Sequence, residues 1–533
     1  MSIVDGILRP DRRTRRIPLT VPMNYISFAL PLIALVSFAA NARADEPVVL
    51  RMLSGEVPAD IQTVQADNRL GNVIVIAVAE GFGWEWRLRS SDGKTARAEH
   101  YVEECRLDVR RTGGTLQLIV VRPDTEPPRT TRSSRTGWRF LFWSGSRTES
   151  SSDGDVRSDL TLRVPAAVAV DVKNRFGGVR VTGTRGAVAV DCQNGRVDLS
   201  DLGDAVTVRT SFGSLHAERI GVAHLTTQNG TLDVREVAGD LQATASFAKL
   251  IVHDVKGNAV LKNQNGAIEA VRITGNLVAA TSFAELRVTE IGGRAALKGQ
   301  NSRVEATDIT GAVEATTSFG PMQVRGLGAG AQLTNQNGAI EAFRVTGDLV
   351  ATTSFATLQA EEIGGAADLS CRNGKIDAAR ITGNLRASTS FAPLRVRDIG
   401  GAAELKWQNS EIAASGMSGD VRAQTSFARM QLEGSGRHFV ARNQNGAVEI
   451  VARSPEVRQI EASASFASID VRLPNDTKPL IRATTSFGKV RSDFPVLHSD
   501  TVSDATFAAD TAPLKVSLSG QNGDIRVQQL AAR

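Results

Sequence analysis

Three cysteines, two tyrosines and six histidines in 533 residues leave little material for several common chemistries. Cys105, Cys192 and Cys371 lie far apart and form no CxxC pair, which argues against a thiolate zinc site and a disulfide scaffold and allows one bridge at most. One of the two tyrosines, Tyr25, falls in the first 44 residues, so a sugar-stacking platform built on tyrosine is excluded. The histidines (His100, His216, His224, His253, His438, His498) are scattered, and no HExxH, GxSxG or P-loop pattern occurs. Long apolar runs are also scarce. The one example, Tyr25 to Ala40, is interrupted by Pro31 and falls short of the ~20 residues that cross a hydrocarbon core.

The excess of basic over acidic residues is small and local. Of 62 Lys+Arg and 57 Asp+Glu, residues 1–44 hold six Arg (Arg9, Arg12, Arg13, Arg15, Arg16, Arg43) and two Asp (Asp5, Asp11). The remaining chain therefore has 56 basic against 55 acidic residues, and bulk charge gives no reason to expect nucleic acid as a partner. A basic stretch, an apolar run and the small-x-small pattern Ala42-Arg43-Ala44 together predict a signal peptide cleaved after Ala44. No cysteine sits at that point, which speaks against a lipoprotein. The expected location is periplasm, outer surface or medium. Thr14 to Leu19 partly resembles a twin-arginine signal, so the export route stays open.

What the sequence has in abundance is repetition. Phe followed by Ala or Gly recurs at Phe176, Phe212, Phe247, Phe283, Phe319, Phe355, Phe391 and Phe427, 36 residues apart with one slip to 35. Asn recurs on the same period at Asn194, Asn229, Asn265, Asn301, Asn337, Asn373, Asn409 and Asn445, offset by half. The unit is an 18-residue coil in two alternating kinds. Counting Phe283 as position one, Leu286 and Val288 alternate with polar neighbours, Ile291 precedes Gly292-Gly293, and Ala295 and Leu297 follow. Alternation with period two, stopped by Gly, is the pattern of a short half-buried strand ending in a turn. Strands this short bury their apolar face only by stacking coil on coil, so the expected fold is all-β, a single-chain β-solenoid of about twenty coils and on the order of 100 Å. Position five alternates carboxylates (Glu269, Glu305, Glu341, Asp377, Glu449) with Arg or Gln (Arg287, Gln323, Gln359, Arg395, Gln431). Stacking would place each carboxylate between cations or amides and avoid like charges directly opposite.

A proline-bounded strand, Arg163-Val164-Pro165, leads into AAVAVDVKNRFGGVRVTG, and G-x-V-x-V and N-G-x-I-x-A turns follow. These residues resemble the bacterial domain family named "toastrack-type putative adhesin", a β-solenoid family of unknown function. The resemblance covers most of the chain after the leader, including LQLIVV at Leu116 to Val121. It implies a fold and an adhesin label, and brings no catalytic residues. The expected organisation is 1–44 signal peptide, 45–165 β-rich lead-in with a basic and aromatic insert at 124–155, 166–453 regular solenoid, and 454–533 irregular coils forming a cap.

Five features are candidate sites. The Asn series is expected to be structural, tying corners together. Each Phe is expected to plug a corner of the core, opposite small residues. Thr-Thr-Ser before Phe does not recur on every coil, which disfavours an ice-binding face. His216, His224 and His253 fall on nearby coils, yet a surface accident is favoured over a metal site. The remaining segment, the insert, places Arg135, Trp138, Arg139, Phe140, Phe142 and Trp143 together without an acidic residue. Cations beside Trp and Phe suit an anionic envelope surface or a peptide groove, against the plainer expectation of a hairpin folded on the rod's end. The expected function is a non-catalytic module of the cell envelope for binding, adhesion or structure. It needs no metal or cofactor and would engage an envelope polymer, a membrane surface or another protein. The alternative is a polysaccharide-active solenoid enzyme.

Overall fold

The computed structural model describes residues 48–90, 101–122, 156–494, 498–501, 504–507 and 514–530. They form a β-solenoid in which every 18-residue coil contributes two strands, one to each of two facing parallel sheets. In the coil that starts at Phe283, Leu286–Ile291 lies in the first sheet and Ala295–Gly299 in the second. Each pairs in register with the strand one coil on, Leu286 with Val304 and Ala295 with Val313. The slip to 35 in the Phe series is a 17-residue coil, since Val206 pairs with Ala223 and Leu215 with Leu232. The lost residue comes from the turn between the sheets, where the ladder makes no demand.

Strands of the first sheet bury two alternate residues and then skip one before burying a third, as in Leu286, Val288 and Ile291. The skipped position is left-handed. Asp201, Arg219, Glu236, Asp254, Arg272, Glu290, Asp308, Arg344, Glu362, Arg380 and Asp398 all have φ between 53° and 60°, with Gly326 and Gly416 filling the same place. Such a conformation costs an L-residue about 1 kcal/mol or more, but it turns one extra side chain outward so that the next apolar residue faces the core. The chain then rounds a corner into the second sheet. There an Asp or Asn oxygen accepts the backbone N–H of the coil above: Asp240 from Asn258 (2.7 Å), Asn258 from Asn276 (2.9 Å) and Asn276 from Arg294 (2.9 Å).

The core explains why the repeat is two coils long. Strands of the second sheet present one large and one small inward residue, exchanged at each coil: Ala259 and Leu261, then Leu277 and Ala279, then Ala295 and Leu297. From Ala223–Thr227 to Ala403–Lys406 a large side chain of the second sheet is thus stacked on a small one, which fills the space beside it. On the outer face of the first sheet the alternation at position five appears as contacts. Arg287 Nε donates to Glu305 (2.8 Å), Gln323 to Glu341 (2.9 Å) and Gln431 to Glu449 (3.0 Å).

Seventeen coils, from Ala169–Phe176 with Val179–Thr182 to Gln459–Ala464 with Ile469–Leu473, stack in sequence order. Two more at each end do not. At the C-terminal end, Leu514–Gly520 and Ile525–Gln529 insert between the coil at 459–473 and the coil at 479–492, pairing with both. At the N-terminal end, Thr63–Asn68 and Val73–Ala77 insert between Thr115–Val121 with Val156–Val164 and the first regular coil. Antiparallel strands then cover the outermost coils: Gly83–Ser90 and Val48–Glu56 on the first sheet, and Arg106–Thr112 on the second. Trp86, fully buried under this cover, donates its indole N–H to Ser158 Oγ at 2.6 Å. Asp504–Phe507 pairs antiparallel with Pro479–Thr485 at the other end, so the described rod exposes no parallel edge there to a further coil on its second sheet.

Candidate binding surface

The two corners of each coil differ in chemistry. The corner leading from the second sheet to the first carries the Phe and Asn series, and these residues share one column, since Phe176 pairs directly with Asn194. The inward slot of this corner is occupied two residues earlier, by Asn263, Thr281, Thr317, Asn335 and Thr353, all buried. Asn263 Nδ2 donates to Ala248 O (2.7 Å) and its Oδ1 accepts from Gly266 N (3.0 Å). Thr281 Oγ1 donates to Gly266 O (3.1 Å), and Thr317 to Ser302 O (3.0 Å). These side chains satisfy backbone groups that a buried corner would otherwise leave unpaired.

The expected core plug is therefore wrong. With the inward slot already filled, by Thr or Asn before eight of the rings and by Ala245 and Ala464 before Phe247 and Phe466, period-two alternation turns Phe out. Phe212, Phe247, Phe283, Phe319, Phe355, Phe391, Phe427 and Phe466 are each 60–63% exposed, Phe176 is 42% and Phe487 is 83%. The Asn series does tie corners, through its backbone: Asn265 N donates to Ser246 O and Asn301 N to Ser282 O, both at 2.8 Å. Side-chain bonding at this corner belongs largely to the inner residue two positions earlier, as Asn263 in LKNQNG at 261–266.

The column continues beyond the regular repeat. Phe466 and Phe487 are only 21 residues apart, one coil and a short insertion. The inserted last coil places Asn522 between them, with Asn522 N on Ser465 O (2.9 Å) and Phe487 N on Gln521 O (2.8 Å). Phe and Asn thus alternate without a break from Phe176 to Phe487. Ten rings stand at every second coil, about 10 Å apart, over about 85 Å. Neither this column nor the Gly, Ala or Ser after it carries a charge. Of the residues just before it in these corners, only Arg175 and Arg372 are charged.

The opposite corner is the reverse, lined by the left-handed Asp, Glu and Arg residues. An open groove of about 870 Å³ runs along it from Leu202 to Thr310. Two acids along it are tied to cations, with Arg219 Nε on Asp201 and Arg272 Nε on Asp254, both at 2.6 Å. Hydrogen bonds from these guanidiniums hold both carboxyls below the usual range. A second groove of about 710 Å³ lies on the second sheet and contains Glu404, lowered by Lys406 and Arg386, and Asp420, which meets His438 Nδ1 at 2.8 Å. Carboxyls pushed down are the opposite of the raised general acid that glycoside hydrolysis requires.

Glu449, lowered by hydrogen bonds from Gln431 and then Arg429, behaves likewise. Lowered folded-state pKa values contribute stability that is present above the unfolded carboxylate range and is lost as pH falls through them. Thermal unfolding should accordingly be insensitive to pH between about 7 and 5 and shift downward below about 4. A midpoint that rose on acidification would contradict these pairings.

The other expected sites separate. His216 lies on the first sheet, with Nδ1 3.4 Å from Asp233, and His224 on the second, 2.8 Å from Gln242. Among the described residues no three His, Cys, Asp or Glu side chains are grouped to hold a metal. Cys105, Cys192 and Cys371 are free and buried, and burial pushes the first two thiols up to about 11. Arg135, Trp138, Arg139, Phe140, Phe142 and Trp143 lie outside the described residues, as does the leader. No helix among the described residues is long and apolar enough to cross a membrane.

No family model matches the chain, and no curated protein matches it. One solved structure does, described as a "putative cell adhesion protein" from Clostridium sporogenes, at 6% identity and a TM-score of 0.14, covering 91% of this chain and 100% of that one. At that overlap the match adds nothing to the geometry. The β-solenoid that the toastrack-type resemblance implies is the fold observed.

Proposed function

We propose that this protein is an exported, non-catalytic β-solenoid that serves the bacterial cell envelope as a binding or adhesion module, and that the Phe/Asn edge is its binding surface. The observation that carries this reading is the unbroken ladder of ten exposed rings in a column flanked directly by only two charges, Arg175 and Arg372. Isolated exposed apolar residues are ordinary, whereas ten rings at a regular spacing in one column are not. Equal spacing suits an extended or repetitive partner, which gains avidity from many similar weak contacts. The leader pattern supports export, with cleavage after Ala44. The catalytic alternative, a polysaccharide-active enzyme, gains no support from Asp201, Asp254 and Glu404 along the grooves, which are shifted away from a proton-donating role.

Two measurements test the reading. A C-terminally tagged chain should be recovered outside the cytoplasm with residues 1–44 removed, and retention of the intact chain in the cytoplasm would refute export. Purified protein should co-sediment with cell-envelope fractions, and the F283S/F319S/F355S variant should lose most of that binding while keeping its fold. Undiminished binding by the variant would remove the ladder from the function.

A further inference from the structure

The Phe/Asn edge is complementary to itself, and we infer that its occupant is a second copy of this chain, docked edge to edge in an antiparallel two-fold dimer. The inference rests on the reading of the ladder as a binding surface and names the partner. The first argument is shape. Along the edge a protruding ring alternates with a corner bearing Asn followed by Gly or Ser, at one step per coil. Ring and notch therefore have the same spacing, and a partner that presents rings at the same period, displaced by one coil, interdigitates along the whole length. A two-fold axis passing midway between two coils achieves that displacement, because it carries each Phe level of one copy onto an Asn level of the other. With the axis between the coils of Phe319 and Asn337, Phe319 of one copy seats against Asn337 of its mate. The contact is isologous and closes at two copies.

The second argument is area. A phenylalanine carries roughly 200 Å² of surface, so ten rings that are about 60% exposed offer on the order of 1,200 Å² per copy. A stable interface needs about 800 Å² from each partner, so burying two-thirds of the ring surface suffices. The third argument is charge. The column and the residues directly beside it carry only Arg175 and Arg372, and the charges two residues farther on are of both signs (among them Lys249, Glu285, Arg303, Lys375, Glu411 and Arg429), so two copies meet along an apolar and amide stripe with a mixed charged rim. Each Asn side chain in a notch keeps donors and acceptors for the facing corner, and a purely apolar partner would leave them unpaired.

Sedimentation equilibrium of the purified protein tests this, read together with co-sedimentation on cell-envelope fractions. The expected result is a mass of two chains at micromolar concentration. F283S/F319S/F355S, whose side chains already face solvent, should weaken self-association by about tenfold or more with unchanged circular dichroism and unfolding temperature. Asn337→Phe gives the sharper reading. It adds apolar surface to the edge but fills a notch, so interdigitation predicts weaker association. A wild-type monomer, association unaffected by the serine substitutions, or tighter association of N337F would each overturn the dimer. A monomer whose serine variant loses envelope binding would assign the ladder to an envelope polymer. That outcome rejects the second copy and leaves the proposed function standing. A dimer that ignores envelope fractions would do the reverse.

Discussion

A chain that stops at Phe494 should lose structure well before its new end. Residues 514–529 are the last coil in sequence but not in space, and among the described strands the coil at 479–492 reaches the rest of the rod only through them. Their removal takes away Leu514, Val516, Leu518, Ile525 and Val527, all fully buried. At about 1.5–3 kcal/mol for each side chain, on the order of 10 kcal/mol of burial is lost. Residues 479–492 then have no ladder partner among the described strands of the rod, and the exposed strands at 459–473 become the new edge. Hydrogen exchange should show protection lost over 479–492 and retained over the regular coils, because a solenoid's stability is summed over neighbouring contacts. Persistent protection of 479–492 in the truncated chain would mean that this coil docks by another route and that the inserted coil is dispensable.

The second large effect concerns deletions within the regular rod, where removing more should harm less. Deleting residues 283–318 takes out one Phe-type and one Asn-type coil and joins Ser282 to Phe319. Leu277 then lies over Ala331, Ala279 over Leu333 and Glu269 over Gln323, so large still meets small and carboxylate still meets amide. Deleting only 283–300 joins two Asn-type coils. Leu277 meets Val313, Ala279 meets Ala315 and Glu269 meets Glu305. The small pair leaves space that Leu297 had filled, at about 2–5 kcal/mol for a loss of that kind. The large pair is overpacked by about 1–3 kcal/mol, and the facing carboxylates add up to about 1 kcal/mol. The shorter deletion should therefore unfold at the lower temperature and exchange rapidly at the junction. Equal protection at the two junctions would show that the coils are interchangeable and that the two-coil period has no basis in packing.

Much of this architecture is legible in the sequence because the interactions behind it are local or strictly periodic. The coil length follows from the Phe and Asn series, and the charge pairing at position five follows from stacking equal positions. Leu286, Val288 and Ile291 are recognisable as inward residues, although the skip between the last two acquires its reason only from the left-handed Glu290. The outward direction of Phe283 does not follow from corner volume, because the inward slot is taken by Thr281, which bonds a corner carbonyl. The Thr and Asn residues at 281 and 263 were the available signal, polar side chains at a position that alternation turns inward. The inserted coils at both ends were beyond sequence periodicity, since they are set by pairing between segments that are not consecutive. The trace they leave is an anomaly in spacing, the 21 residues from Phe466 to Phe487, which becomes intelligible once Asn522 is seen between them.

The left-handed residues have a consequence for the whole cross-section of the rod. They occupy the corner opposite the rings, so the solenoid is a ribbon with one greasy border and one ionic border, joined by two sheets with mixed polar faces. Glycine would suit that conformation better, and at eleven places the chain instead keeps Asp, Glu or Arg. Their charges hold water along that border from Asp201 to Asp398. A ribbon of this kind adheres by one side only: once the ring-bearing border is covered, what faces outward is hydrated, and lateral growth into sheets or bundles stops at the first contact.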